Sequence, residues 1–398
     1  MYRIATYTAF NGVVDTLQGR QQQLVESQQQ LTSGKRVLHA SDDPVAAARA
    51  ERARSLEQRA DANQRSIDAS KNSMTLTESA LGAAGDLMQQ ARELIVASGN
   101  ASYSDAQRND VANQIAQIRK QLLSVANRGN GAGGFVFSGQ GTSQPPFIDA
   151  PGGVTYTGTG GQVEVASDEP LPLTFDGRQV WMGARTGNGV FVTGVTQSQG
   201  AWIDAGRVTD PAQITGSNYS VEFSVSGGVT TYSVLQDGNP TAVTGVTYSS
   251  GKAIEIDGMS FNITGTPANG DAFSITPSAP SLSVFDALDQ VVAALKTPNQ
   301  ATAKVTQAVQ SGLRDLDQSL GQVQSSRSLA GETLNRIEGV QSRVTDLKLF
   351  AQTTESDAVD LDMTQAISEF QNQQTGYQVA LQTYATLQKM SLFQYINA

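Results

Sequence analysis

The chain has 398 residues, of which 6% are aromatic and 16% are charged, with a formal net charge of -10 and no cysteine. The acidic balance argues against a surface for nucleic acid or anionic lipid, because both need clustered lysine and arginine. The lack of cysteine excludes disulfides, thiol nucleophiles and thiolate metal ligands. The length allows two or three compact units, with cores built from small side chains and helical seams.

The amino-terminal tract reads as helix from residue 1 to about residue 128, with breaks near Ser33-Gly34 and Gly99-Asn100. Apolar residues and glutamines alternate at spacings of three and four from Phe10 to Leu31, which predicts a seam diluted by glutamine. A second seam, from Leu56 to Ile95, predicts a helix of about 55 residues and roughly 80 Å at 1.5 Å per residue.

The stretch LTSGKRVLHASDDPVAAARA, residues 31–50, joins these two helices. Gly34 is predicted to break the first helix. Pro44 suits the first position of the second helix, and Asp43 before it is the predicted N-cap. These three residues are the predicted hinge.

His39 has no second histidine or cysteine with which to share a metal and no nucleophile elbow, so it is predicted to be a surface or interface side chain.

The middle tract, from about residue 129 to 280, loses helical periodicity and is predicted to be antiparallel β structure, with a hairpin turn at Asp257-Gly258. Its first glycines, Gly129, Gly131 and Gly134, fit G-x-G-x-x-G. A dinucleotide site needs a strand before the glycines and a helix after them, and here that order is reversed. No catalytic, cofactor-binding or metal-ligating group of residues is identified, so the sequence predicts a protein that is not an enzyme.

From Ser283 the helical spacing returns, with a seam that includes Val305 and Leu347, and a last glutamine-diluted segment begins at Met363. The most economical way to bury two terminal seams is to pair them. The predicted fold is therefore α+β: an elongated molecule whose N- and C-terminal helices pair into a coiled-coil rod with an inserted antiparallel β domain. We expect three domains. The terminal helical assembly domain is predicted at residues 1–40 plus 355–398, and the helical rod core with a β-hairpin region at 41–185 plus 279–354. The outer β domain is predicted at 186–278.

Several segments of both helical tracts resemble the bacterial flagellin superfamily. They are QQQLVESQQQLTSGKRVLHASDDPVAAARA at residues 21–50, LMQQARELIVASGNASYSDAQRNDVANQIAQIRKQL at 87–122, SRSLAGETLNRIEG at 326–339, and the ending MSLFQYI at 390–396. The run SGKR followed by SDDPVAAA, and the ending, are most similar to the branch that forms the hook-filament junction. The order of the segments is that of the family.

The resemblance implies a structural role outside the cell, with no cofactor, as a ring of subunits between hook-associated protein 1 and flagellin. It also implies export through the flagellar type III apparatus, without a cleaved signal peptide. A cytoplasmic chaperone that binds the C-terminal helix would guide this export. The first residues, MYRIATYTAFNGVVDTLQG, accordingly lack the apolar core of a secretory signal, and no nucleic-acid or membrane partner is expected. Filament flagellin is the alternative interpretation, and an adhesin or glycan-binding surface protein is a more distant one.

The resemblance gives the terminal seams a role in self-assembly. Polar residues at seam positions set register at the expense of stability, and a marginal helix pair is largely unfolded without packing partners. We therefore expect the terminal segments to be disordered in the free subunit and to fold when neighbouring subunits bury them. The predicted self-assembly residues are Leu17, Leu24, Leu31, Ile367, Phe370, Tyr377, Leu381, Tyr384, Leu392 and Phe393.

Overall fold

The computed structural model describes residues 2–165 and 169–396, with side chains described from residue 11 to residue 386 of those ranges. The helices are α1 (Tyr2–Ser33), α2 (Pro44–Ser98), α3 (Asp105–Ala126), α4 (Gly177–Met182), α5 (Val284–Lys296), α6 (Thr302–Val359) and α7 (Met363–Ile396), with a 3-10 turn at Pro211–Gln213. Helices stand at both ends of the chain and antiparallel strands lie between them, which confirms the predicted α+β fold with an inserted antiparallel β region.

The strands all lie between α3 and α5 in the chain. They are β1 (Phe147–Ala150), β2 (Gly153–Tyr156), β3 (Glu164–Val165), β4 (Leu171–Pro172), β5 (Ala184–Arg185), β6 (Phe191–Gln197), β7 (Ala201–Ile203), β8 (Arg207–Val208), β9 (Tyr219–Ser226), β10 (Val229–Gln236), β11 (Asn239–Pro240), β12 (Val246–Thr247), β13 (Ala253–Ile256), β14 (Met259–Gly265), β15 (Ala272–Pro277) and β16 (Pro280–Leu282).

The chain divides into two compact units, one of Met1–Arg65 with Gln341–Ala398 and one of Ser66–Val340. The long helices α2 and α6 contribute residues to both units. The predicted seam of α2 is buried over most of its length, because its apolar and small residues recur at alternating spacings of three and four. Its buried members are Ala60, Ile67, Ser70, Met74, Thr77, Leu81, Ala84, Met88, Ala91 and Ile95.

In the first unit, α2 and α6 run antiparallel and are joined by ion pairs along their length. The Nε atom of Arg54 lies 2.7 Å from Glu355 Oε1, and the Nζ atom of Lys348 lies 2.6 Å from Asp61 Oδ1. Between these pairs, the amide of Gln352 donates to the carboxylate of Glu57 at 2.7 Å. The three contacts fix one register for the helix pair.

Most strands of the second unit form two antiparallel sheets around one apolar core. The larger sheet has the order β11-β10-β9-β15-β6 with β12 beside β10, and the smaller has the order β13-β14-β7 with β8 beside β14. At the predicted hairpin, Asp257 (φ 44°) and Gly258 (φ 74°) both occupy the left-handed region, as a two-residue type I′ turn requires. The core includes Phe191, Tyr219, Val221, Phe223, Val234, Phe261, Ile263, Phe273 and Ile275.

The short helix α4 differs from the prediction of β structure throughout the middle tract. Asp176 caps it by accepting a hydrogen bond from the backbone N–H of Arg178 at 3.0 Å. Val180 and Trp181 are buried on its inner side. A single helical turn is too short to show the 3.6-residue periodicity from which helices are inferred, so the sequence pattern missed it.

Gly139 lies where two loops of the second unit meet the backbone. Its N–H donates to the carbonyl of Phe175 at 3.0 Å, and the N–H of Gln140 donates to the carbonyl of Thr159 at 2.9 Å. Gly139 has φ +64°, and a Cβ added there would overlap the carbonyl oxygen of Thr159. The close approach of these two segments of the chain therefore depends on the absence of a side chain at position 139.

Candidate functional site: the terminal helices and their junction

The two terminal helices, α1 and α7, pair in antiparallel orientation, but the pair buries little side-chain surface. The hydroxyl of Ser27 on α1 donates to the amide oxygen of Gln373 on α7 at 2.7 Å. Between residues 11–33 of α1 and between residues 363–386 of α7, every residue is half-buried or exposed. A helix pair in water gains most of its stability from burying an apolar face. This pair therefore lacks the burial that would hold it together by itself.

The predicted self-assembly residues fall into two groups on these helices. The half-buried group lies at seven-residue spacing on each helix, so its members occupy the same position in successive heptads of a coiled coil. It comprises Leu17, Leu24 and Leu31 on α1, and Phe370, Tyr377 and Tyr384 on α7. Ile367 and Leu381 are 45% and 43% exposed, so they leave apolar surface uncovered. The side chains of Leu392 and Phe393 lie outside the described residues.

Further apolar side chains are exposed on the same helix pair. Val25, Met363 and Val379 are 45%, 45% and 56% exposed. Met363 begins the predicted seam of α7, four residues before Ile367, whereas Val25 and Val379 lie off the seam spacing, so periodicity gave no reason to select these two. Together with Ile367 and Leu381 they give the terminal pair an apolar exterior, which is the usual mark of a protein–protein contact.

The junction between α1 and α2 is held by backbone contacts with the end of α6. Gly34, at φ +70°, follows the last residue of α1, and its carbonyl accepts from the N–H of Leu361 at 3.0 Å. The N–H of Arg36 donates to the carbonyl of Val359 at 2.8 Å, and its guanidinium donates to the carbonyl of Ala358 at 2.7 Å. Both terminal helices therefore leave the α2–α6 pair from one place.

The two adjacent aspartates cap different segments of this junction. Oδ1 of Asp43 accepts from the N–H groups of Val45 and Ala46 at 3.2 and 3.0 Å, at the start of α2, where Pro44 is the first residue. Asp42 Oδ2 accepts from the N–H of His39 at 2.7 Å, while the His39 side chain is exposed. The backbone N–H of Ala46 holds the pKa of the Asp43 carboxyl below its ordinary value of 3.8, and Arg36 adds to this effect.

Replacing Asp43 with alanine is expected to lower the melting temperature at pH 7 by about 2–4 °C, a change typical of a lost helix cap in a domain of this size. Because the pKa of Asp43 is depressed in the folded chain, its stabilisation is present above pH 3.8 and is lost as the pH falls through that lowered pKa. The difference should therefore shrink at pH 3. Thermal unfolding followed by circular dichroism checks this, with the exposed Asp110→Ala as control. An equal loss at both pH values would contradict it.

The first glycine run forms a turn, and the acidic side chains of the described residues are spread too far apart to share a metal ion. In the first glycine run, Asn130 Oδ1 accepts from the N–H groups of Ala132 and Gly134 at 2.9 and 3.0 Å, so this segment is a turn closed by its own side chain. Across residues 2–165 and 169–396, three or more histidine, aspartate or glutamate side chains do not converge at any one place. Within the same residues, no helix has the length and hydropathy needed to span a membrane.

Helix α6 exposes three apolar side chains in its last third, and one of them, Leu347, was wrongly predicted to lie in the buried seam. Leu347 was expected in the seam, but it is 38% exposed, and the next residue, Lys348, takes the position that faces α2 through Asp61. Leu349 and Phe350 are each 63% exposed. A run of three apolar residues among four cannot all lie on one side of a helix, and the sequence does not say which side is covered.

Family models match three parts of the chain. The bacterial flagellin N-terminal helical region matches residues 4–142, and the bacterial flagellin C-terminal helical region matches residues 313–396. A D2-like domain of flagellar hook-associated protein 1 matches residues 193–277, which hold the two larger β-sheets. The helical matches cover both terminal helices and the junction described above.

Relatives of known identity align with most of the chain. Flagellar hook-associated protein 3 of Salmonella typhimurium is 25% identical over 324 residues, which cover 80% of this chain and 76% of that protein. The crystal structure of Xanthomonas campestris FlgL is 30% identical with a TM-score of 0.69 and covers 77% of this chain and 99% of that chain. Hook-associated protein 3 of Legionella pneumophila is 25% identical with a TM-score of 0.72, covering 77% and 98%.

Proposed function

Because this chain belongs to the hook-associated protein 3 (FlgL) family of the flagellin superfamily, we propose that it is a structural subunit of the bacterial flagellum that forms the junction between hook and filament by self-assembly. Its work is mechanical, and no catalytic role is assigned to it. Its neighbours in this proposal are further copies of itself, hook-associated protein 1 and flagellin. The likeness of residues 193–277 to a domain of hook-associated protein 1 supports a shared architecture with that neighbour.

The observation that carries the assembly role is the helix pair α1–α7, in which residues 11–33 and 363–386 contain no buried side chain. An apolar surface such as that of Ile367 and Leu381 is stabilised when a neighbouring molecule covers it. Burying a side chain of this type fully contributes about 1.5–3 kcal/mol. Packing between subunits would therefore supply the stability that the isolated pair lacks.

We expect residues 10–31 and 363–395 to exchange amide hydrogens rapidly in the free subunit, and at least about a hundredfold more slowly in assembled flagella, because folding there depends on neighbours. Hydrogen–deuterium exchange with mass spectrometry on both forms measures this. The buried seam of α2 serves as the internal reference, since it should be protected in both. Strong protection of the terminal segments in the monomer would refute coupled folding.

Deletion of the gene tests the junction role. We expect the deletion mutant to keep the hook and hook-associated protein 1, to lack the filament, and to release flagellin into the medium. Immunogold labelling of purified flagella from the parent strain should give a single band at the hook end. Label along the whole filament would instead identify a filament flagellin.

The proposal includes a domain division and an export route. Residues 1–40 with 355–398 would assemble, residues 41–185 with 279–354 would form the helical core with its β-hairpin region, and residues 186–278 would form the outer β domain. The compact core around Phe191 and Ile275 supports the last of these. Secretion without a cleaved signal peptide, with a cytoplasmic chaperone on the C-terminal helix, would keep the ends unfolded until they reach the growing structure.

A further inference from the structure

The hairpin of strands β1 and β2, residues 147–156, has an apolar base. Phe147 is buried, and its ring centroid lies 6.1 Å from that of Phe285 on α5. The backbone N–H of Phe147 donates to the side-chain oxygen of Asn127 at 2.9 Å, and its carbonyl accepts from the same amide group at 2.8 Å. Val154 on β2 is buried as well. Packing and uncharged hydrogen bonds therefore fix the base of the hairpin.

The tip of the same hairpin is held by an arginine. The turn lies at residues 151–152, and Asp149 stands just before it. The carboxylate of Asp149 accepts two hydrogen bonds of 2.8 Å from the guanidinium of Arg119 on α3. The Nε atom of Arg119 also lies 2.7 Å from Oδ1 of Asp289 on α5. Arg119 is 8% exposed, so a nearly buried cation joins the tip to both helices.

The charges around Arg119 do not balance. Asp286 precedes Asp289 by one turn of α5, and its Oδ1 lies 2.7 Å from the position that a Cβ on Gly153 would occupy, so this carboxylate adjoins the hairpin. The three aspartates do not converge on one point where they could share a metal ion, but each interacts with the same guanidinium. Lys120 adds a weaker attraction for the hairpin carboxylate, and β2 has no charged side chain. Three negative charges thus surround two positive ones.

We propose that this hairpin is a charge-held flap. Arg119 keeps the tip closed on α3 and α5, while the surrounding carboxylates repel one another and favour the open position. Removing one partner of a nearly buried ion pair is strongly unfavourable, because the other charge is left unpaired. Loss of the guanidinium would leave three like charges together. The tip would then move away from the helices, while the apolar base would stay docked.

The ionisation of Asp286 sets how strongly the open position is favoured. Burial and the charge of Asp289 raise the pKa of the Asp286 carboxyl, whereas the hydrogen bonds from Arg119 hold the pKa of Asp149 below its ordinary value of 3.8. As the pH falls from neutral, Asp286 therefore becomes neutral before Asp149 does. The repulsion decreases while the ion pair at the tip is still intact, so mild acid would tighten the flap.

Distances between spin labels test the flap, and labels can be placed at will because the chain has no cysteine of its own. Nitroxides on Gln117→Cys of α3 and Pro151→Cys at the turn, both exposed positions, report on the tip. Gln117→Cys with the exposed Gln144→Cys, just before β1, reports on the base. With the rest of the chain unchanged, each pair should give one narrow distance distribution by double electron–electron resonance.

Arg119→Gln should add a longer distance at the tip and none at the base, and should raise the ratio of open to closed molecules by at least about tenfold at pH 7. Lys120→Gln is the matched control, since it removes the same charge one residue away, and the tip should stay closed. Adding Asp286→Asn and Asp289→Asn to Arg119→Gln, or lowering the pH to 4, should close the tip again. A tip that stays closed in Arg119→Gln, or stays open once the repulsion is removed, would overturn the inference.

Asp286→Asn alone gives a second reading that does not depend on the folding of Arg119→Gln. Because the raised pKa means that the ionised form of Asp286 is disfavoured in the folded chain, this variant should melt about 2–4 °C above the parent at pH 7. The difference should disappear at pH 3, where Asp286 is neutral in the parent too. Asp110→Asn, at an exposed position of α3, is the control and should show no such gain. A melting temperature for Asp286→Asn at or below that of the parent at pH 7 would refute the flap.

Discussion

Ile367→Asp combined with Leu381→Asp is expected to abolish attachment of the filament while leaving the free subunit unchanged. Both side chains are close to half exposed on α7, so the isolated chain loses little when they become polar. In an assembled ring the exposed half of each would be covered, which contributes about 1 kcal/mol per residue, and each buried aspartate would add about 1–3 kcal/mol for an unpaired polar group. The sum exceeds about 3 kcal/mol per contact, or more than about a hundredfold in affinity.

The measurement is the swimming radius of a deletion strain that expresses the variant, together with the yield of filament-bearing cells by electron microscopy. Gln378→Asp with Gln382→Asp is the matched control, since these residues are exposed on the same helix and already polar. Circular dichroism of purified subunits should be the same for the parent, the variant and the control. Normal filaments in the variant would show that this surface of α7 stays in contact with water after assembly.

Gly139→Ala is expected to destabilise the second unit by more than about 4 kcal/mol, which places it among the most damaging single substitutions. The left-handed backbone costs an alanine about 1–2 kcal/mol. The larger cost arises because the new methyl group would overlap the Thr159 carbonyl, a backbone atom that cannot rotate away. Relief would require the loops around Gly139 and Thr159 to separate and to lose the hydrogen bonds that join them.

Gly131→Ala isolates the conformational part of this cost. Gly131 also has a positive φ, of +78°, but open space surrounds its Cβ position, so we expect a loss of about 1–2 kcal/mol. Urea unfolding followed by tryptophan fluorescence reports on this unit, since Trp181 is buried within it. Equal losses for the two variants would mean that the loops yield easily and that the close approach at Gly139 is not a constraint.

Periodicity predicted the long helices well and the surfaces poorly. The seam from Ala60 to Ile95 could be traced because many turns repeat the same pattern, and the hairpin at Asp257-Gly258 because both residue types tolerate a positive φ. The side of α6 that carries Phe350 could not be predicted. Which of two apolar sides a helix buries depends on its partner, and Lys348 occupies the covered side through its pair with Asp61.

The requirement for glycine at position 139 was equally hidden, for a different reason. The sequence around it reads as a loop with several glycines, and among those that were singled out, Gly131 has open space around its Cβ position. The constraint at Gly139 comes from Thr159, twenty positions later, and only the folded backbone brings the two together. Local turn chemistry identifies glycines that need a positive φ, but close approach between distant loops leaves no local signal.

The hydrogen bond from the Leu361 N–H to the Gly34 carbonyl, at 3.0 Å, makes the whole chain between them topologically a loop inserted into one helical hairpin. The entropic cost of closing a flexible loop rises by only about 0.6 kcal/mol for each doubling of its length. The hairpin is therefore nearly indifferent to how long the intervening sequence is. Such an arrangement lets the inserted portion gain, lose or exchange whole segments over evolution, or carry a foreign peptide by design, while the two ends keep their own geometry.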